Sequence, residues 1–227
     1  MTRCTRDLTV TFVLVVGVCA RVAAAGEGAP RTPDDVRKLM TRAVYALRTP
    51  EGRAGTVGAP GGTTKESEAA VEAGLAWLAK AQEPDGCWLG GPGGEGPRYE
   101  VGITGLALMA FLGAGYTQAE GTYKAAVAKG LDWLKANQGG DGSFPKRRSF
   151  YEQGIAAIAL GEAYALTQDQ AIRPAAERAI LFICRQQPEH GGFRYVGGTT
   201  EKDGDLSVSG WQMVAMITGF CGGIEGL

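Results

Sequence analysis

The chain has 227 residues, with 23 Lys and Arg against 24 Asp and Glu and a single His, for a formal charge of −1 at neutral pH. So even a balance speaks against the basic stripe of a nucleic-acid binder or an anionic-membrane binder. One His and five scattered Cys offer no ligand spacing for zinc, so neither a metal site nor a cofactor is expected.

In chain order, the first predicted segment is an export signal over residues 1–25. Arg3 and Arg6 form a charged start, Leu8–Ala20 an apolar core, and Ala23-x-Ala25 a small-residue cleavage site. An apolar stretch of 13 residues is short of the ~20 that span a bilayer, so no stable membrane span is expected. Val18 before Cys19 ranks lipid anchoring below plain export, to the periplasm or outside the cell. Cleavage after Ala25 removes three Arg and one Asp, which leaves a mildly acidic protein starting at Gly26.

Residues 26–64 predict one helix and a linker. Thr32-Pro33-Asp34-Asp35 is a helix start, with a capping hydroxyl, Pro in the first turn and two acids after it. Val36, Leu39, Met40, Ala43, Val44 and Leu47 carry the apolar face to about Arg48. Thr49–Thr64 then reads as a flexible Gly- and Pro-rich connection.

Residues 65–227 contain a repeat. Aligned on Gln138, Trp77, Gln82, Gly86 and Trp88 recur as Trp133, Gln138, Gly142 and Phe144, then as Phe182, Gln187, Gly191 and Phe193. The steps are five, four and two residues in every copy, and the copies lie 56 and 49 residues apart. A period near 50 marks a stack of one supersecondary unit. Each copy closes an amphipathic helix, about Ala69–Gln82 and Ala125–Gln138 in the first two. A more uniformly apolar, Gly- and Ala-rich segment follows each turn: Ile103–Ala114, Ile155–Leu166 and Val208–Phe220. The unit is therefore a helical hairpin, an outer helix followed by a buried inner one. The three occupy about Glu66–Tyr116, Thr122–Leu166 and Ile172–Phe220. The Gln amide is expected to donate to the last carbonyls of its own helix and to accept from the orphan N–H groups of the next, with the following aromatic covering it. Trp77, Trp88 and Trp133 are expected in the core. Gly90–Pro97 and Lys146–Arg148 read as loops, the first lacking the Lys-Ser/Thr of a phosphate loop. Cys87, Cys184 and Cys221 survive cleavage, and an oxidising compartment would permit one disulfide among them, with no pairing favoured.

The pattern Lys-Gly-x-x-Trp-Leu-x-x-x-Gln-x-x-x-Gly-x-Phe at Lys129–Phe144 resembles the QW repeat of the squalene–hopene cyclases, shared more loosely with protein prenyltransferase β-subunits. The resemblance covers about Ala69 to Phe220. It implies an all-α, α/α toroid, with inner helices around a cavity and outer helices outside. A closed toroid of that kind has about six hairpins and this chain has three. The expectation is a half-ring that associates with itself or with another protein, or that is part of a longer product.

The same resemblance supplies candidate site residues. Squalene–hopene cyclases carry Asp-x-Asp-Asp at the start of an inner helix, and its middle Asp protonates an alkene. Asp203-Gly204-Asp205-Leu206 stands at that place, with Asp203 and Asp205 matching and Leu206 replacing the last acid. Within the repeats, Glu100, Glu152 and Asp205 share one position in the first turn of the inner helices. A feature that all hairpins have is explained by a shared need, because a carboxylate there accepts orphan N–H groups. Three readings stay open: a non-catalytic binding or scaffold module; a cyclase-like isomerase with Asp205 as general acid; or a glycan-active enzyme with the carboxylates and Tyr99, Tyr151 and Trp211 at a cavity mouth. The ligand would be apolar in the second case and a glycan in the third.

Overall fold

A computed structural model describes residues 32–90, 99–144, 149–196 and 203–227. The predicted export segment, the start of the following region and most of the two loops at Gly90–Pro97 and Lys146–Arg148 lie outside them. The described elements are α1 (Pro33–Tyr45), a 3₁₀ turn (Ala46–Arg48), α2 (Pro50–Ala54), α3 (Lys65–Lys80), α4 (Glu100–Gly113), α5 (Lys124–Ala136), α6 (Phe150–Thr167), α7 (Arg173–Gln186) and α8 (Leu206–Gly222). Among these residues the only extended pairing is an isolated bridge between Ser149 and Val196.

The predicted hairpins are α3–α4, α5–α6 and α7–α8. Inner helices α4, α6 and α8 pack side by side with the outer helices against them, the layering of an α/α toroid. Small residues allow the close approach. A Cβ on Gly105 would lie 2.8 Å from Ile155 Cγ2, and one on Gly161 would lie 2.9 Å from Thr218 Cγ2. Helix α6, flanked on both sides, is buried along nearly its whole length, whereas α4 and α8 each keep an exposed face. Leu108, Phe111 and Leu112 of α4 are fully buried. Each such side chain contributes about 1.5–3 kcal/mol.

Consecutive hairpins meet at the repeated Gln. Gln82 Nε2 donates to the Gly86 carbonyl of its own turn and to the Ala126 carbonyl in the first turn of α5, both at 2.9 Å. Gln138 Nε2 donates to the Ala175 carbonyl in the first turn of α7, also at 2.9 Å. Gln82 to Gln138 is 56 residues and Ala126 to Ala175 is 49, the same increments as the sequence repeat, so the two joints are equivalent. Gln187 Nε2 reaches the Gly191 carbonyl of its own turn at 3.3 Å. This corrects the expected bonding. Helices α3 and α5 stop at Lys80 and Ala136, which carries each Gln past the last turn and turns its amide forward, to the neighbouring helix.

The clip glycines repeat the pattern. Gly86, Gly142 and Gly191 all have φ between 84° and 102°, the left-handed region. A Cβ would lie 2.5 Å from the Lys129 carbonyl oxygen at Gly86 and 2.0 Å from that of Arg178 at Gly142, but it would meet nothing within 4 Å at Gly191. The aromatic that closes each turn is held by its own inner helix. The backbone N–H groups of Trp88, Phe144 and Phe193 donate to Thr104 Oγ1 (3.0 Å), Gln153 Oε1 (3.0 Å) and Ser209 Oγ (2.8 Å).

One tryptophan departs from expectation. Trp88 is buried, and Trp133 is buried with its indole N–H donating to Asp85 Oδ2 of the preceding turn at 3.1 Å. Trp77, at the same helical position as Trp133, is 67% exposed, because among the described residues no such turn stands in front of α3 to receive it.

The N-terminal segment joins the core. Thr32 and Asp35 form a reciprocal capping box. Val36, Met40 and Tyr45 then pack α1 onto Ala165 and Leu166 of α6 and onto Ile217, Phe220 and Cys221 of α8. The connection at Thr49–Thr64 is more ordered than its composition implies. Thr49-Pro50-Glu51 repeats the start signal of Thr32-Pro33-Asp34, with Thr49 Oγ1 accepting from Gly52 N at 3.0 Å. Arg53 fastens it by donating to the Ala114 carbonyl and pairing with Glu68.

Candidate functional site

Contacts Gly102 to Glu152, Gly105 to Ile155, Gly154 to Trp211 and Gly161 to Thr218 advance together, so the inner helices run parallel. Their first turns therefore share one rim, and the candidate residues stand on it. They are not equivalent there. Glu100 is the first residue of α4, Glu152 the third of α6, and Asp205 the cap before α8.

Asp205 is fully engaged. Its Oδ1 accepts from Ser207 Oγ (2.6 Å) and Val208 N (2.9 Å), and its Oδ2 from the Tyr195 hydroxyl (3.1 Å). The Ser207 hydroxyl, followed by the Val208 N–H, holds its carboxyl below the usual range, so it is ionised at neutral pH. Tyr151 shares a hydrogen bond with Ser207, and its ring lies 5.7 Å from that of Tyr195. Tyr151, Tyr195, Ser207 and Asp205 thus form one exposed polar circuit. Trp211 is half-buried, its Cβ 2.9 Å from where a side chain on Gly154 would begin. Asp203 is exposed beside the circuit.

Glu152 is buried and works across the helix boundary, with Oε1 accepting from Gly102 N at 3.2 Å. That N–H is one of the orphan donors in the first turn of α4, so the carboxylate of one hairpin caps the helix of the one before. Glu100 is buried at the start of α4, and Tyr99, its cap residue, is half-exposed. The structure brings Tyr151 and Asp205 together through Ser207, while Glu152 faces away from them, toward α4.

Sequence reading missed Tyr195, Ser207 and a buried ion pair at the other end of the inner helices. Gln153 of α6 faces α7, where its Nε2 meets the Ala179 carbonyl at 3.2 Å. Leu160 shares that face by helical periodicity, and Glu162 lies about 200° away from it on the concave side. There Glu162 Oε2 is 2.8 Å from Arg48 Nη1, an ionic contact rather than an aligned hydrogen bond. Arg48 also stands over the Tyr45 ring, 5.0 Å from its centroid. Burial pushes the Glu162 carboxyl up, with Arg48 opposing it. The concave side of α6, which would face the cavity of a toroid, is here covered in part by the chain's own N-terminal segment.

No disulfide joins Cys87, Cys184 and Cys221 to one another. Burial, with Asp85 beside it, pushes Cys87 up to about 12, which keeps it an unreactive thiol at neutral pH. Among the described residues no group of three or more His, Cys, Asp or Glu is placed to hold a metal, and no helix is long and apolar enough to cross a membrane.

Residues 58–193, more than half of the chain, match the family model described as the squalene-hopene cyclase C-terminal domain. The matched span includes Gln82, Gln138 and Gln187 and stops before Asp203 and Asp205. A comparison with curated proteins found no match.

Proposed function

The chain belongs to the squalene-hopene cyclase C-terminal domain family, and from that premise we propose that it is an exported, non-catalytic member that works as a binding or scaffold module. The observation that carries this reading is the state of Asp205. An acid that protonates an alkene must hold its proton and be shielded from water. Asp205 accepts three hydrogen bonds as a helix cap, is ionised, and lies in an exposed circuit. Arg48, Tyr45 and α1 on the concave side add support, because they occupy part of the surface on which a substrate would fold.

The test is incubation of the protein with squalene, alongside Asp205→Asn. Asn caps helices as well as Asp, so the variant keeps its fold. Neither protein should yield cyclised product. Product from the wild type that disappears in the variant would establish the cyclase-like isomerase instead. Export rests on Arg3, Arg6, Leu8–Ala20 and the Ala23-x-Ala25 site. Mass spectrometry of protein recovered outside the cytoplasm should show Gly26 at the N-terminus, and an intact Met1–Ala25 segment there would refute cleavage.

A further inference from the structure

We propose that two copies of this chain associate head to tail, the leading edge of the first hairpin in one copy docking on the trailing edge of the third hairpin in the other. The inference is independent of whether the protein is catalytic. It rests on the internal repeat, which shows how one hairpin buries the next and leaves both halves of one such joint open.

On the leading edge, positions buried in the second hairpin are exposed in the first. Trp77 is 67% exposed where its equivalent Trp133 is 9%, and Val71 is 42% exposed where Val127 is 0%. In the inner layer Leu106 is exposed, whereas Trp211, 105 residues on, packs against Gly154 of α6. The contacts of residues 32–64 lie elsewhere, with α6, α8, the end of α4 and the polar side of α3 at Glu68.

The trailing edge shows the complementary vacancy. Gln82 and Gln138 each donate to a carbonyl of the next outer helix, whereas among the described residues Gln187 donates only within its own turn. Gly86 and Gly142 are pressed against the carbonyls of Lys129 and Arg178, whereas nothing approaches Gly191. On α8, Met213 and Val214 are exposed, and a Cβ at Gly210 would meet nothing within 4 Å.

Carrying the repeat increments back by 56 residues names the missing partners. Gln187 Nε2 would donate to the carbonyl of Ala70, the equivalent of Ala126, and Gly191 would sit on the carbonyl of Ala73, the equivalent of Lys129. Both residues are exposed in α3. A second copy therefore offers the surface that the existing joints already use, with an aromatic anchor and two aliphatic contacts at its centre. The contact is heterologous: it closes into a ring if the rotation allows and otherwise extends as a row.

The experiment is sedimentation velocity on the protein purified as its host processes it, with Trp77→Glu on the leading edge and Val214→Glu on the trailing edge. The wild type should associate in the micromolar range, and each variant alone should bind itself about 30-fold more weakly or worse. An equimolar mixture of the two should recover a dimer, because one intact edge from each copy still makes one joint. Both side chains are exposed, so helical content and melting temperature should be unchanged. A variant that loses helical signal is replaced by Val71→Glu or Met213→Glu, which mark the same edges. A monomeric wild type, association weakened by only one of the two edge variants, or a mixture that stays monomeric would each overturn the proposal.

Discussion

Arg48→Met is expected to destabilise the protein by about 3–5 kcal/mol at pH 8, because it leaves Glu162 buried on the concave side of α6 without its counter-charge. That is a large share of the ~5–15 kcal/mol that holds a domain of this kind folded. The loss should shrink in acid. Burial already raises the folded-state pKa of Glu162 above its ordinary 4.5, with Arg48 as the opposing influence. Removing Arg48 raises it further. Below the unfolded pKa the carboxyl is protonated in both states and carries no penalty. As pH climbs through the raised folded value, the fold must retain a proton that the unfolded chain releases, and stability falls. Thermal unfolding of wild type and variant at pH 5 and pH 8 should therefore show the larger deficit at pH 8. The double substitution Arg48→Met with Glu162→Met should recover most of it, since a buried ion pair and an apolar pair of similar volume are close in stability. A double variant as unstable as the single one would mean that Arg48 acts through its packing on Tyr45.

How much of this was legible in the sequence follows from what the chain states more than once. Gln82, Gln138 and Gln187 announce the hairpins because every copy repeats the spacing, and the glycines four residues on mark left-handed turns by residue type alone. The start of α1 was legible because Thr32, Pro33 and Asp35 are local to one another. Asp205 as a helix cap was legible for the same reason, and its circuit with Tyr195 and Tyr151 was not, because it joins three separate segments. Arg48 and Glu162 are 114 residues apart and occur once, so no period could pair them. Gln153 was missed because it does with a long side chain what Thr104 and Ser209 do with a hydroxyl, and a search by residue type does not see that equivalence. Trp77 shows the converse. Its place in the repeat predicted burial correctly for Trp133, but burial also needs a neighbouring hairpin, which position in the repeat does not supply.

If each Gln–Gly turn is a joint between neighbouring hairpins, the stabilities of Gly86→Ala, Gly142→Ala and Gly191→Ala measure it most directly. All three glycines have positive φ, so Ala costs about 1–2 kcal/mol of backbone strain at each. At Gly142 the new methyl would also lie 2.0 Å from the Arg178 carbonyl oxygen, and at Gly86 2.5 Å from that of Lys129. Forcing backbone apart adds about 1–3 kcal/mol. Chemical denaturation should show Gly142→Ala losing about 2–5 kcal/mol, Gly86→Ala nearly as much, and Gly191→Ala only the strain. Equal losses at all three positions would mean that the turns are fixed locally and do not join one hairpin to the next.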